Sequence, residues 1–278
     1  MSDDIDSATE HDGGFLADWQ RWRVERLAAV NAPDGPPALT TTYWLDETDS
    51  VPGVPGVWLE QDDEVVLALP AGSMVVVSGV PRSGRLVALV CGQEAGPRIH
   101  LARLTVQVTI RSGRRGVRIF DHARADSVSD IEAFDPSPAW VIEGAFEPLG
   151  DHATLSYSYA LESAPRPVEV PGIVSFTLGD RVYKTQPFID EGSLLLVFAD
   201  RTTGQTTKPP SRFLVFDLPP GAGRRAGLVR LDFNRAFLPP CAFSGHFNCP
   251  LPPVDHRLNV AVTAGETWAR QITQRNEQ

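Results

Sequence analysis

The chain of 278 residues is expected to fold as a mainly β protein, an antiparallel barrel or sandwich with one amino-terminal amphipathic helix and room for two packed β lobes. Three observations carry this expectation. Short runs alternate apolar and polar side chains with the period of two that a half-buried strand requires. Gly, Pro and Asp separate these runs, and the chain holds 23 glycines and 24 prolines, enough for many turns. No helical pattern lies between the runs, which argues for sandwich or barrel packing and against alternating strand and helix units.

In chain order, residues 1–60 read as an acidic tail, an amphipathic helix and a loop. The tail runs to about residue 12. From Gly14 to Val30, Phe15, Trp19, Trp22 and Leu27 fall on one helical stripe, which reads as a packing face before it reads as the lining of a site. Prolines and a glycine in Asn31 to Pro37 end the helix, and ALTTTYWLDETDSVPGVPG continues as loop. Residues 61–278 read as the β domain, with a further boundary near Gly150 in the turn-rich FEPLGDH. Its clearest strand is Thr105 to Ile110, where Val106, Val108 and Ile110 alternate with Thr105, Gln107 and Thr109. Leu155 to Leu161 alternates in the same way. Further strands are expected at Glu64 to Leu69, Met74 to Val80, Arg85 to Val90, Arg114 to Phe120, Trp140 to Phe146, Gly172 to Leu178, Ser193 to Ala199, Arg212 to Asp217, Leu228 to Phe233 and Arg257 to Val262.

Composition narrows the function. Hydrophobic residues make up 42% and charged residues 22%, ordinary for a globular chain long enough to bury a core. A formal charge of -10 disfavours attraction to nucleic acid or to anionic membrane surfaces, so neither is an expected partner. The start MSDDIDSATEHDGG is acidic where a secretory signal would be basic and then apolar, and no apolar run reaches a membrane span, so a cytoplasmic location is expected. Cys91, Cys241 and Cys249 are an odd set without CxxC spacing, which suits a reducing compartment and leaves open a local bridge between Cys241 and Cys249.

Several motifs dissolve on inspection. GVPRSGRL, Gly79 to Leu86, has phosphate-loop spacing, but Arg85 and Leu86 stand where Lys and Ser/Thr are needed, and LVALV continues as a strand. GAGRRA, Gly221 to Ala226, has dinucleotide-loop spacing between prolines and a strand, and reads as a loop. No G-x-S-x-G occurs. Cys241, His246, Cys249 and His256 offer zinc-ligand chemistry at a spacing unlike the usual structural sites, so no metal and no cofactor are expected. Arg98, Arg103, Arg111, Arg114, Arg115, Arg118 and Arg124 crowd one segment; they suit an anionic ligand, although a solvated face balancing nearby acids is the simpler reading.

The carboxy-terminal run from Asp200 to Glu266 is the most informative. Alternation in Leu228 to Asn234 places Arg230, Asp232 and Asn234 on one strand face, and Pro239, Pro240, Pro250, Pro252 and Pro253 stiffen the segment beyond it. DRTTGQTT, SRFLVFD, LDFNRAFLPPCAF, NCPLPP and AVTAGE resemble the signature blocks of the bacterial domain of unknown function 1684 family, and RSGRRGVRIFD resembles a second, weaker block. The resemblance implies a mostly β fold and no established activity. Residues matching the pattern are Arg118, Asp121, Asp200, Thr203, Gly204, Thr207, Arg212, Asp232, Asn234, Pro240, Cys241, Cys249 and Glu266, while Lys208, His246 and His256 depart from it.

The leading expectation is a β protein that binds a small polar or anionic molecule through Arg118, Asp121, Thr203, Thr207, Arg212 and Asn234. A cofactor-independent hydrolase, lyase or cyclase using Asp232, Asp200 or Cys241 as acid, base or nucleophile is the alternative. A third reading makes the run a structural clasp. Oligomeric state stays open. Convergence of Arg118, Arg212, Asp232 and Asn234 on one cavity favours a functional site, and dispersal favours the clasp.

Overall fold

A computed structural model describes residues 3–272 apart from 62, 91, 94 and 222–224, with the backbone alone for residues 3–12. The first two residues of the expected acidic tail, Cys91 and the centre of GAGRRA therefore lie outside the described residues. The chain divides into two compact units, one of residues 28–127 and a split unit of residues 1–27 and 128–278. Gly150, where composition suggested a boundary, stands at a turn inside the split unit.

The 28–127 unit holds β1 (Leu39–Trp44), β2 (Val57–Gln61), β3 (Glu64–Ala68), β4 (Val75–Val77), β5 (Val80–Arg82), β6 (Arg85–Leu89), β7 (Ile99–His100), β8 (Leu104–Arg111) and β9 (Arg114–Asp121). They form antiparallel sheets in the orders β1-β9-β8-β7-β4-β5 and β2-β3-β6. Val65 and Leu67 of one sheet and Val106, Val108 and Val117 of the other share a core. TTTYWL is strand β1 and not loop, paired Thr42 to Arg118 and Trp44 to Gly116. Its β-branched and aromatic residues favour the pleated backbone although they lack an apolar alternation. A side chain at Gly116 would meet the Trp44 ring at 2.9 Å, so Gly permits this pairing. GVPRSGRL is a strand, a turn at Gly84 (φ +72°) and a second strand, with no helix to present amides to a phosphate.

The split unit contains most of α1 (Asp3–Val30), then β10 (Val128–Ala133), β11 (Val141–Pro148), β12 (Thr154–Tyr157), β13 (Arg166–Glu169), β14 (Gly172–Leu178), β15 (Arg181–Thr185), β16 (Phe188–Asp190), β17 (Ser193–Phe198), β18 (Arg212–Phe216), β19 (Gly227–Asp232) and β20 (Glu266–Gln271). Antiparallel sheets run β15-β14-β11-β19 and β16-β17-β18, with two-stranded β10-β20 and β12-β13 beside them. None of these sheets closes on itself as a barrel, and the layered arrangement is that of a sandwich.

The period of two explains the layers. Leu194, Leu196 and Phe198 of β17 face Phe146, Val174 and Phe176 of the four-stranded sheet, while Leu195 and Val197 face Tyr157, Phe213 and Cys249 on the other side. The run SLLLVF is apolar without alternation because both its faces are buried. Each of these large side chains contributes roughly 1.5–3 kcal/mol by leaving water. On α1, Phe15, Trp19, Trp22, Arg26 and Leu27 are half-buried, so the aromatic stripe is a packing face. No helix among the described residues is long and apolar enough to cross a membrane.

Three expected strands end differently, the first of them Met74 to Val80, which is β4 and then a turn at Ser78 and Gly79 into β5. Leu155 to Leu161 stops pairing as a strand at Tyr157, and Tyr159 keeps a single bridge to Pro250. Arg257 to Val262 is a loop joined to the end of β17 by one bridge, Ala199 to Arg257. Its Leu258 and Val262 are buried in the core, which gives a strand-like pattern without a ladder.

Candidate functional site

The Asp200 to Glu266 run wraps one end of the sandwich around a buried charge cluster. Arg212 opens β18 opposite Phe198, on the face that carries Leu214 and Phe216 into the core. Its side chain is 1% exposed and that of Asp200 0%, and they pair at 2.5 Å. The guanidinium also donates to the carbonyls of Val262 (2.9 Å), Ala264 and Glu266 (3.4 Å), and its carbon lies 5.3 Å from the centre of the Phe198 ring. One fork thus ties β18 to the carbonyls of Val262 and Ala264 in the final loop and to that of Glu266 at the start of β20. Burial lowers the Arg212 pKa, against the charges of Asp200 and Glu266; its ordinary value lies so far above neutrality that the group stays cationic.

Asp200 is held by the tight loop that follows it. Its Oδ1 accepts from the Thr202 backbone N–H at 2.6 Å and from the Thr202 hydroxyl at 2.5 Å, while Oδ2 takes the Arg212 fork. Thr203 Oγ1 accepts from the Asp200 backbone N–H at 3.0 Å, and the buried Thr207 hydroxyl meets that of Thr202 at 3.0 Å. Gly204 turns the loop at φ +78°. Thr203 and Thr207, expected to touch a ligand, here shape the loop that presents Asp200 to Arg212.

A second carboxylate balances the cluster. Glu266 is 0% exposed; its Oε2 accepts from the Leu238 backbone N–H at 2.7 Å and its Oε1 from Arg26 Nε of α1 at 3.1 Å. Arg26 also donates to the Leu238 carbonyl at 2.8 Å and lies 4.8 Å from the centre of the Phe237 ring. Preceding it, Gly265 has φ +78°, and a Cβ there would meet the Ala236 carbonyl oxygen at 2.4 Å, so the Gly-Glu pair is dictated by backbone crowding. Two carboxylates and two guanidiniums cancel in charge.

Asp232 and Asn234 do not extend one strand face. β19 ends at Asp232, whose Oδ1 caps the 3-10 turn Phe233–Arg235 by accepting from the Asn234 backbone N–H at 3.1 Å. The buried Asn234 side chain donates to Asp232 Oδ1 and to the Ser137 carbonyl and accepts from the Ser137 N–H, each at 2.9 Å. The expected polar row of Arg230, Asp232 and Asn234 is thus broken by the turn. Trp19 of α1 closes the same corner by donating to the Asn234 carbonyl at 3.1 Å.

Arg118 and Asp121 belong to the 28–127 unit. Arg118 is half-buried on β9, in register with Thr42 and Gln107. Asp121 caps the next 3-10 turn by accepting from the Ala123 N–H at 3.0 Å. Neighbouring arginines pair with acids of their own unit: Arg98 with Asp34 at 2.9 Å, Arg114 with Asp46 at 2.8 Å and Arg115 with Glu60 at 2.7 Å. These pairs balance the three charges locally.

His256 is turned away from metal chemistry. Its Nε2 accepts from the Gln186 N–H at 2.9 Å, which leaves the proton on Nδ1 to be donated to the Val197 carbonyl at 3.0 Å. Among the described residues no group of three or more His, Cys, Asp or Glu is disposed to hold a metal ion.

Cavities of about 670, 400 and 330 Å³ open among the described residues, and Arg212, Asp200, Asp232 and Asn234 line none of these three. Asp121 lines the one of about 400 Å³ with Gly53, Leu101, Ala102, Arg103 and Leu104. Sequence reasoning missed Arg26, although it follows Trp22 by four residues on the same helix stripe and that spacing was available as a signal. It also missed Thr105, whose fully buried hydroxyl lies 3.0 Å from both His100 Nδ1 and His122 Nε2. No local spacing links those three.

The pattern of a family described as Protein of unknown function (DUF1684) matches residues 126–267. No curated protein matches the chain. Among solved structures, the chain is similar to an uncharacterised protein of Haloarcula marismortui determined by solution NMR, at 28% identity over 52% of this chain and 78% of that one, with a TM-score of 0.40.

Proposed function

From the premise that this chain belongs to the DUF1684 family of proteins of unknown function, we propose that its signature run from Asp200 to Glu266 is a structural clasp and not a ligand site. The observation that supports this is saturation: both carboxylates of the cluster are fully buried, and every oxygen of each accepts from a protein donor. A substrate would have to displace Arg212 or Arg26 to reach them. The run joins β17, β18 and β19 to the last strand and to α1, which is what closing a layered sheet demands.

Glu266→Gln tests the clasp with little change of shape. The amide keeps one acceptor but turns a donor toward either Leu238 N–H or Arg26, so urea unfolding is expected to show a loss of about 1–3 kcal/mol. Unchanged urea midpoints for both Glu266→Gln and Asp200→Asn would overturn the reading.

A second reading keeps ligand binding and moves it to the 28–127 unit. The cavity of about 400 Å³ there is lined by Arg103 and Asp121 against Leu101 and Leu104, a mixture of one cation, one anion and apolar wall that suits a small polar or anionic molecule. Titration with inorganic phosphate and with acetate, followed by amide NMR, is expected to move the Arg103 and Asp121 resonances and to lose that response in Arg103→Ala. Shifts scattered over the surface, or retained in that variant, would remove this reading.

A further inference from the structure

Inside the clasp, Cys241 and Cys249 form a feature that neither reading uses. Cys241 lies half-buried in the 3-10 turn Pro240–Ala242, and Cys249 is buried, 5% exposed, against Tyr157, Val197 and Phe213. The Cys241 backbone N–H donates to Cys249 Sγ at 3.3 Å. Both ends of the intervening segment are anchored. Phe243 and Ser244 N–H donate to the Pro240 carbonyl at 3.0 and 3.2 Å, Ala160 N–H donates to the Cys249 carbonyl at 3.0 Å, and Leu161 N–H donates to Asn248 Oδ1 at 2.8 Å. The fold therefore holds Cys249 Sγ against the backbone of Cys241, with Cys249 sheltered and Cys241 half-buried.

We propose that Cys241 and Cys249 are a peroxide-reactive thiol pair, in which Cys241 is the attacking sulfur and Cys249 resolves it as a disulfide within the loop. The Cys241 thiolate attacks one oxygen of a hydroperoxide, the O–O bond breaks, the sulfur is oxidised to sulfenic acid and, with hydrogen peroxide, the other oxygen leaves as hydroxide and takes a proton to become water. The Cys249 thiol then attacks the Cys241 sulfur, the S–S bond forms, and the sulfenic hydroxyl leaves with the Cys249 proton as a second water. Two thiols and one peroxide give one disulfide and two waters.

The surroundings support that order of events. Hydrogen bonding from Cys249 and the nearby Lys208 charge hold the Cys241 thiol below its ordinary value, against the desolvation that opposes them. Cys249 has the buried position of a resolving sulfur.

The experiment uses the full chain carrying Cys91→Ala, treated with hydrogen peroxide and then denatured for thiol titration and peptide mass spectrometry. Both remaining thiols are expected to disappear together into a Cys241–Cys249 linked peptide that dithiothreitol restores. In Cys249→Ser, Cys241 should stop at a sulfenic acid that dimedone traps, and in Cys241→Ser, Cys249 should stay reduced. Two free thiols after treatment that oxidises free cysteine, a disulfide between chains, or oxidation of Cys249 without Cys241 would each overturn the proposal. Should a serine variant fail to fold, the linked peptide in the Cys91→Ala chain decides alone. Because Arg212, Asp200 and Glu266 take no part, failure here leaves the clasp untouched.

Discussion

Arg212→Ala is expected to remove about 3–5 kcal/mol of stability, the range found when one partner of a buried ion pair is deleted. Folded domains hold about 5–15 kcal/mol in all, so this variant should unfold at much lower urea than the parent. The cost is large because the loss is not of one contact. Asp200 would keep its two bonds from Thr202 but lose its only cation within 4 Å among the described residues, and the carbonyls of Val262 and Ala264 would lose their shared donor in a core wall of Phe198 and Leu214. Adding Asp200→Ala to Arg212→Ala should recover part of the loss, since the stranded carboxylate is then gone, with an interaction energy of about 0.5–3 kcal/mol. A urea midpoint equal to the parent's in Arg212→Ala would mean that the fork is decorative and that the clasp fails. Arg212→Lys separates charge from shape: one ammonium cannot span Asp200 and two carbonyls as the planar fork does, so rescue should be incomplete.

How much of this was legible depended on whether partners were close in sequence. Gly172 to Leu178 alternates cleanly and is strand β14 over that same range, because its neighbours β11 and β15 leave its own pattern to decide. Arg257 to Val262 has the same look but no neighbour on which to build a ladder, and Leu258 and Val262 are apolar because they fill the core behind Arg212. β1 was missed for the opposite reason. Its Thr-rich stretch shows no apolar period, yet it gains a full partner in β9 some 75 residues later in the chain, and no local window contains that information.

The candidate site divides the same way. Asp200, Arg212, Asn234 and Glu266 stood out as a pattern, but their chemistry is set by who faces them. A carboxylate opposite a solvent-filled cleft is an acid or base; the same carboxylate opposite a guanidinium and a threonine, fully buried, is a strut. Arg26 lies 240 residues from Glu266, so the second half of the charge balance could be seen only after folding. Cys241 and Cys249 lie eight residues apart, and there the sequence already left a local bridge open.

Acidification from pH 6.5 to about 4 is expected to remove about 3 kcal/mol of stability through His256 alone. Burial lowers the His256 pKa from 6.5 to about 4, against smaller opposing effects of the Val197 carbonyl and Asp255. The geometry explains why. Nε2 already accepts from the Gln186 N–H, so a proton placed there would set two donors against each other in a site packed on the Tyr157 ring, 6.0 Å away. Between those two pH values the unfolded chain binds a proton that the folded chain refuses, so stability falls as pH falls, and the His256 contribution to the loss ends once pH drops below about 4. The exposed carboxylates Asp18 and Asp46 are held below the ordinary carboxylate range by Arg21 and Arg114, and their own losses belong to more acid conditions. Urea unfolding at a series of pH values, set beside the imidazole NMR titration of the folded protein, measures both halves of the cycle. His256→Gln should be less stable than the parent near neutrality yet lose less on acidification. If the variant and the parent lose the same amount over that range, or if the His256 ring titrates near 6.5 in the folded protein, the buried neutral imidazole is not what makes this fold sensitive to acid.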